Sequence, residues 1–128
     1  MGVYNLKGTI TKGTVRASAI KTIVKIRQEA ITKVILCGDT AAVLNGWIQV
    51  DENPVLPDQE ETDSEIVLPT SPLTIDLDEP YLVSHEKSDL KFFCYNTDGA
   101  NNHNAWAIVV TRQLTEEERR KIEAEEKA

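Results

Sequence analysis

The sequence predicts an all-β fold, namely an antiparallel β-sandwich of jelly-roll or immunoglobulin-like type that ends in a short C-terminal helix. β-Branched residues are concentrated in short runs, and Gly, Asn, Asp and Pro separate these runs, which is typical of many short strands joined by turns. The chain has 128 residues, enough for one domain with a single core. We therefore predict one sandwich domain over residues 1–114 and a charged helix or tail over residues 115–128.

Nine segments carry the strand pattern. They are residues 3–10, 20–28, 31–37, 46–50, 65–68, 73–76, 81–84, 90–96 and 105–112. Between residues 17 and 36 the pattern is ambiguous, because the large aliphatic side chains there also recur at helical spacing. We favour strands because Thr, Ile and Val dominate the segment, and an amphipathic helix over 17–36 is the alternative.

The last two strand segments carry the strongest signal. An Asn-rich stretch, residues 97–104, joins them, and Asp98-Gly99 within it favours a turn, so we predict a β-hairpin. In residues 90–96, Phe93 and Tyr95 alternate with apolar neighbours, and in 105–112 Trp106 does the same. Both faces of the predicted hairpin are therefore apolar, which predicts a central position in the sandwich or contact with a neighbouring subunit.

Residues 51–72 differ in kind, because they contain seven acidic residues, four prolines and no basic residue. Self-repulsion and proline both oppose packing, so we predict an exposed loop. We favour a solvated connection. The alternative is a loop that docks onto a basic surface, such as residues 16–33 of another copy.

The C-terminal segment begins with Thr115-Glu-Glu-Glu, in which Thr115 and Glu118 have the spacing of a capping box. This predicts a short helix. Only Leu114 and Ile122 could anchor it, so we favour a frayed, solvated helix over one that lies across a neighbouring protein.

Charge is strongly polarised along the chain. The basic N-terminal segment, residues 1–37, contains seven basic residues and one acid, a net charge of +6. Since the whole chain carries −7, the remainder carries −13. This division predicts association with acidic protein surfaces, including those of other copies. Nucleic acid is a poor partner for so acidic a chain, and the basic segment lacks the interleaved aromatic residues of a nucleic-acid-binding barrel.

Catalytic and metal-binding patterns are weak, and we predict a protein that is not an enzyme and has no cofactor or metal. In Ser84-His85-Glu86, neighbouring strand residues point to opposite faces and cannot form a relay. Cys94 and His103 could approach across the hairpin, but apolar neighbours disfavour a reactive thiolate. The Asn-rich stretch fails as an EF-hand loop, because a loop with Gly99 at its sixth position has Ala105 in place of the final carboxylate. A calcium site of another kind in this stretch is an alternative.

Cys37 and Cys94 both have apolar neighbours and are typical of free thiols in a reducing compartment. The first residues lack the apolar core of a signal peptide, and no apolar run is long enough to span a membrane. We therefore expect synthesis in the cytoplasm and no membrane contact.

The C-terminal pattern, from Tyr81-Leu-Val-Ser-His through Leu90-Lys-Phe-Phe-Cys-Tyr-Asn and the Asn-rich stretch to Ala-Trp-Ala-Ile-Val-Val-Thr-Arg, resembles the last hairpin of small β-sandwich proteins on tailed-phage particles. In those head-decoration and accessory virion proteins, a strand ending in Asn, a polar loop and a closing apolar strand recur. The resemblance covers about the last third of the predicted fold. It implies a capsid-bound structural subunit of the virion, often oligomeric, that is made in the host cytoplasm.

We accordingly predict a capsid decoration or accessory head subunit that acts through interfaces with copies of itself and with a capsid. Basic residues would pair with acids across the contact while aromatic residues supply buried anchors. The predicted interface residues are Arg16, Lys21, Lys25, Arg27, Lys33, Phe93, Tyr95 and Trp106. The alternative is a carbohydrate- or small-ligand-binding sandwich with Trp47 or Trp106 as a stacking platform. Its ligand-binding residues would be Asn96, Asp98, Asn101, Asn102 and Asn104.

Overall fold

Alternation of apolar and polar side chains produces two antiparallel sheets that pack face to face, as the all-β sandwich prediction requires. The computed structural model describes residues 2–57 and 65–127. The elements are β1 (Gly2–Ile10), a 3₁₀ turn (Arg16–Ser18), β2 (Ile20–Ile26), β3 (Ala30–Gly38), β4 (Leu44–Val50), β5 (Asn53–Leu56), β6 (Ile66–Val67), β7 (Leu73–Leu82), β8 (Ser88–Asn96), β9 (His103–Arg112) and α1 (Glu116–Lys127).

Sheet A has the strand order β1-β9-β3-β7, and sheet B has the order β2-β8-β4-β5, with β6 pairing to β4. The inward-facing side chains of both sheets form one apolar core. Its largest fully buried members are Phe92, Leu6, Ile10, Ile26, Ile31, Leu36, Leu44, Ile48, Leu68 and Leu90. Each sheet therefore has one face on the core and one outer face.

The strand prediction for residues 20–28 and 31–37 is confirmed, and the helical alternative over 17–36 is wrong. β2 pairs with β8 in sheet B, whereas β3 lies between β9 and β7 in sheet A. Pairing of these β-branched segments with strands distant in sequence outweighs their local helical spacing.

The predicted hairpin is wrong, because its two strands, β8 and β9, belong to different sheets. β8 pairs with β2 and β4, and β9 pairs with β1 and β3, so each is central in its own sheet. The Asn-rich stretch crosses from one sheet to the other. The predicted alternation is nevertheless correct: Phe92 and Cys94 face the core from β8, while Ala105 and Ala107 face it from β9.

Part of the predicted acidic loop is a strand. β5 lies within it and buries Val55 and Leu56 at the edge of sheet B, where Pro54 is tolerated because edge strands have one side without hydrogen bonds. Another departure is β7, a single edge strand through Pro80 where two strands were predicted. Residues 58–64 of the predicted loop lie outside the described residues.

The capping box is confirmed, and the helix packs against the sandwich. Thr115 Oγ1 accepts a hydrogen bond from the Glu118 backbone N–H at 3.1 Å, and Glu118 Oε1 accepts one from the Thr115 N–H at 2.9 Å. Ile122 and Leu114 are buried against Ala30 of β3, with Leu82 beside them. The expectation of a frayed, solvated helix is therefore wrong, because these two apolar residues suffice to dock α1.

Candidate protein-binding surface

The outer face of sheet A carries apolar side chains with no covering element among the described residues. Three sets of cross-strand neighbours form this face, and in each set a β9 residue lies between its paired residues in β1 and β3. The sets are Lys7–Trp106–Cys37, Asn5–Ile108–Ile35 and Val3–Val110–Lys33. We call these nine residues the Trp106 surface.

The centre of the Trp106 surface is apolar and its rim is charged. Trp106, Ile108 and Ile35 line a shallow groove of about 330 Å³. Val3 is 59% exposed, and Lys7 Nζ lies 5.5 Å from the centroid of the Trp106 ring. An apolar centre with a polar rim and a Trp residue is typical of a protein interface.

The outer face of sheet B contains more aromatic residues, but they cover one another. Trp47 and Phe93 stack with their ring centroids 5.0 Å apart and their planes 4° apart. The Arg16 guanidinium carbon lies 4.2 Å from the Trp47 centroid, and Lys21 Nζ lies 5.8 Å from the Phe93 centroid. Trp47 is only 6% exposed and its buried Nε1 has no hydrogen-bond partner among the described residues, so this ring is no open stacking platform.

Tyr95 and Glu65 extend this arrangement at the β6 end of sheet B. The Tyr95 hydroxyl donates a short hydrogen bond to Glu65, and Arg16 Nη1 lies 2.8 Å from the same carboxylate. The hydrogen bond to Glu65 and burial together raise the pKa of Tyr95 to about 12. Three aromatic residues were predicted to form an interface. Phe93 and Tyr95 contact Trp47 and Glu65 of the same chain, whereas Trp106 lies on the outer face of sheet A.

The predicted interface residues fall on more than one surface. Arg16, Lys21 and Lys25 lie with Phe93 and Tyr95 on the sheet B side, and Lys25 is 2.5 Å from Asp89. Lys33 and Trp106 lie on the outer face of sheet A, and Arg27 lies in the turn between β2 and β3. The structure therefore does not bring the eight residues together.

Most residues of the Trp106 surface were not among the predicted interface residues. The alternation in residues 105–112 already placed Ile108 and Val110 on the Trp106 side, and this signal was available. Ile35 and Val3 could not be assigned to it, because strand pairing alone brings them beside β9.

Asn96 and the Asn-rich stretch that follows it use their polar groups to build the local structure. Asn96 is fully buried, donates to the carbonyls of Ile10 and Asn101 at 3.3 and 2.8 Å, and accepts from the Asp98 N–H. Asn102 accepts from the Lys12 N–H, and the side chains of Asn104 and Thr9 bond to each other at 2.9 Å. The residues of the predicted ligand site thus tie β8 to the β1 end of sheet A.

His103 joins two loops through two carboxylates. Its Nδ1 lies 2.9 Å from Asp39 Oδ1, and its Nε2 lies 2.8 Å from Asp98 Oδ2. The hydrogen bond to Asp98 and the charge of Asp39 raise the pKa of His103 above its ordinary 6.5, while the His103 bond lowers the pKa of Asp98 to about 2. We call this trio the His103 clasp.

The His103 clasp predicts a specific pH dependence of stability. The raised pKa of His103 contributes stability that is complete below about pH 6.5 and is lost as the pH rises through the folded-state value. The lowered pKa of Asp98 contributes stability that is complete above its ordinary 3.8 and is lost as the pH falls toward 2. The free energy of unfolding, measured with denaturant, should therefore differ most between wild type and His103→Asn near pH 5, and less near pH 9. An equal difference at both pH values would contradict the charged clasp.

The Cys94 thiol is buried and is not a reactive nucleophile. Burial raises the pKa of the Cys94 thiol to about 12, so it is protonated at neutral pH. Both cysteines are free thiols. Within residues 2–57 and 65–127, no three His, Cys, Asp or Glu side chains form a cluster suited to a metal ion.

The described helix is not long and apolar enough to cross a membrane.

Comparison with known proteins adds no family. No family model matches the sequence, and no curated protein is significantly similar to it. The assignment of function therefore depends on the surfaces described above.

Proposed function

We propose that this protein is a non-enzymatic structural subunit of a tailed-phage virion, which decorates or stabilises the head by binding capsid protein. The observation that carries the proposal is the half-buried apolar centre of the Trp106 surface, over which no described element packs. An apolar surface with charged residues at its rim is typical of protein-interaction sites. The resemblance of residues 81–112 to phage virion proteins is one of sequence pattern alone, since β8 and β9 form no hairpin, and it favours a capsid as the partner.

The shape and chemistry of the Trp106 surface favour a protein over a small ligand. Small-molecule sites are concave and place a few polar groups to orient the ligand. The groove beside Trp106 is shallow, and Lys7 lies at its rim over the ring. A shallow apolar groove of this form is suited to a complementary protein surface, with Lys7 and Lys33 setting the orientation of that partner.

Particle analysis tests the proposal. Particles of a phage that encodes this chain would be purified through a density gradient, analysed by quantitative mass spectrometry and labelled with a gold-conjugated antibody. We expect the protein as a constant component of the particle, located on the head, and we expect particles from a gene deletion to bind the purified protein. Its absence from gradient-purified particles would overturn the virion assignment.

A further inference from the structure

Helix α1 separates two open clefts of opposite charge. Arg119 and Glu118 precede the buried Ile122 by three and four residues, so they lie on either side of its anchored face. The cleft on the Arg119 side measures about 820 Å³, and the groove on the Glu118 side about 880 Å³. We call them the basic cleft and the acidic groove.

The basic cleft has a clear excess of positive charge. Its charged lining consists of four cations and one acid: Lys25, Arg27, Lys87, Arg119 and Glu86. Lys25 is paired with Asp89, whereas Arg27, Lys87 and Arg119 are exposed and form no ion pair with the carboxylates that the structure describes.

Glu29, the acid in the same turn as Arg27, accepts hydrogen bonds from two hydroxyl groups. Its Oε1 accepts a hydrogen bond from the Tyr4 hydroxyl at 2.6 Å, and its Oε2 accepts a short one from Thr111. Both bonds hold the Glu29 carboxylate on hydroxyl groups. Neither Glu29 oxygen forms an ion pair with Arg27, so the Arg27 guanidinium can bind a carboxylate of a partner.

The acidic groove has the complementary excess. Four glutamates line it, against Arg120 and Lys121: Glu79, Glu117, Glu118 and Glu125. One lining charge of each sign is paired with a neighbour. Arg112 donates to the Glu118 carboxylate at 2.7 and 3.0 Å, and Arg120 lies 2.9 Å from Glu116. Glu117 and Glu125 are exposed and form no ion pair with a cation in the described part of the chain.

We propose that the basic cleft binds the acidic groove of a second copy of this chain. This goes beyond the proposed function, because it concerns the α1 end of the molecule and not the Trp106 surface. Two complementary surfaces on one chain favour association between copies. A polyanion is the less suited occupant, since the net charge of −7 repels it from the molecule as a whole.

The test measures absolute mass by light scattering at low and high salt for four proteins. They are wild type, the cleft variant Arg27→Glu with Lys87→Glu, the groove variant Glu117→Lys with Glu125→Lys, and the control Lys12→Glu with Lys21→Glu. The control has the same net charge as the cleft variant, so it accounts for general repulsion. Raising the ionic strength from about 0.01 M to 1 M shortens the screening length from about 30 Å to 3 Å.

We expect wild type and the control to form multimers at low salt that dissociate at high salt. Each cleft or groove variant alone should be monomeric, and an equimolar mixture of the two should recover a species of at least twice the monomer mass, because the intact cleft of one meets the intact groove of the other. A monomeric wild type at low salt would overturn the proposal, as would unchanged assembly of the cleft variant.

Two further outcomes would also count against it. Failure of the mixture to associate would overturn the pairing of cleft with groove. Retention of monomeric wild type on heparin, lost in the cleft variant, would assign the cleft to polyanions. None of these results depends on capsid binding, which the particle analysis decides separately.

Discussion

Replacing Trp106 with alanine is expected to weaken the proposed binding to capsids by about 30-fold or more, the effect of losing a hot-spot residue that contributes about 2 kcal/mol. The free energy of unfolding should fall by no more than about 1 kcal/mol, because the ring lies on the outer face of sheet A and not in the core. Binding would be measured by co-sedimentation with capsids that lack the protein, and stability by denaturant unfolding.

The matched control is Ile23→Ala. Ile23 is an exposed apolar residue, 43% accessible, on the outer face of sheet B. The Ile23→Ala substitution should leave the proposed capsid binding unchanged, because Ile23 lies on the opposite side of the sandwich from Trp106. Equal loss of binding in both variants, or a loss of stability in Trp106→Ala large enough to account for the lost binding, would show that the Trp106 surface is not the contact.

Replacing Phe92 with alanine is expected to cost about 3–5 kcal/mol of unfolding free energy, the usual cost of truncating a buried aromatic side chain. Phe92 is 1% exposed, and its ring packs over Gly46, where an added Cβ would lie 2.9 Å from Phe92 Cε1. Because small domains are stable by about 5–15 kcal/mol, this variant should lose a large fraction of its free energy of unfolding.

Phe93→Ala provides the comparison, because Phe93 is adjacent in β8 but points to the outer face. Its stack on Trp47 is expected to contribute about 0.5–1.5 kcal/mol beyond the area it buries, so its loss should cost clearly less than that of Phe92. Denaturant unfolding of both variants measures the difference. Equal costs would contradict the assignment of Phe92 to the core and Phe93 to the outer face.

Local sequence signals predicted most of the elements. Alternation identified which side chains of β8 and β9 face the core, and Thr115 with Glu118 located the start of α1. The missed elements were those whose local signal was weak. β5 contains a proline and lies beside acidic residues, so only its burial against sheet B shows it to be a strand.

The candidate site was less predictable than the fold. Charge polarity along the chain suggested one basic surface, yet Lys33 and Lys21 lie on opposite outer faces because β3 and β2 belong to different sheets. Several of the predicted cations also have partners within the chain, such as Glu65 for Arg16 and Asp89 for Lys25. Sequence distance carries no information about such pairings.

The sequence by itself determined the all-β class, the alternation of inward and outward side chains and the capped C-terminal helix, because each depends on residues within a few positions of one another. Only the tertiary structure decided that β8 and β9 separate into two sheets, and that β1 and β3 flank Trp106. Both outcomes depend on which distant strands pair, and pairing follows from burial of a shared core rather than from local preference.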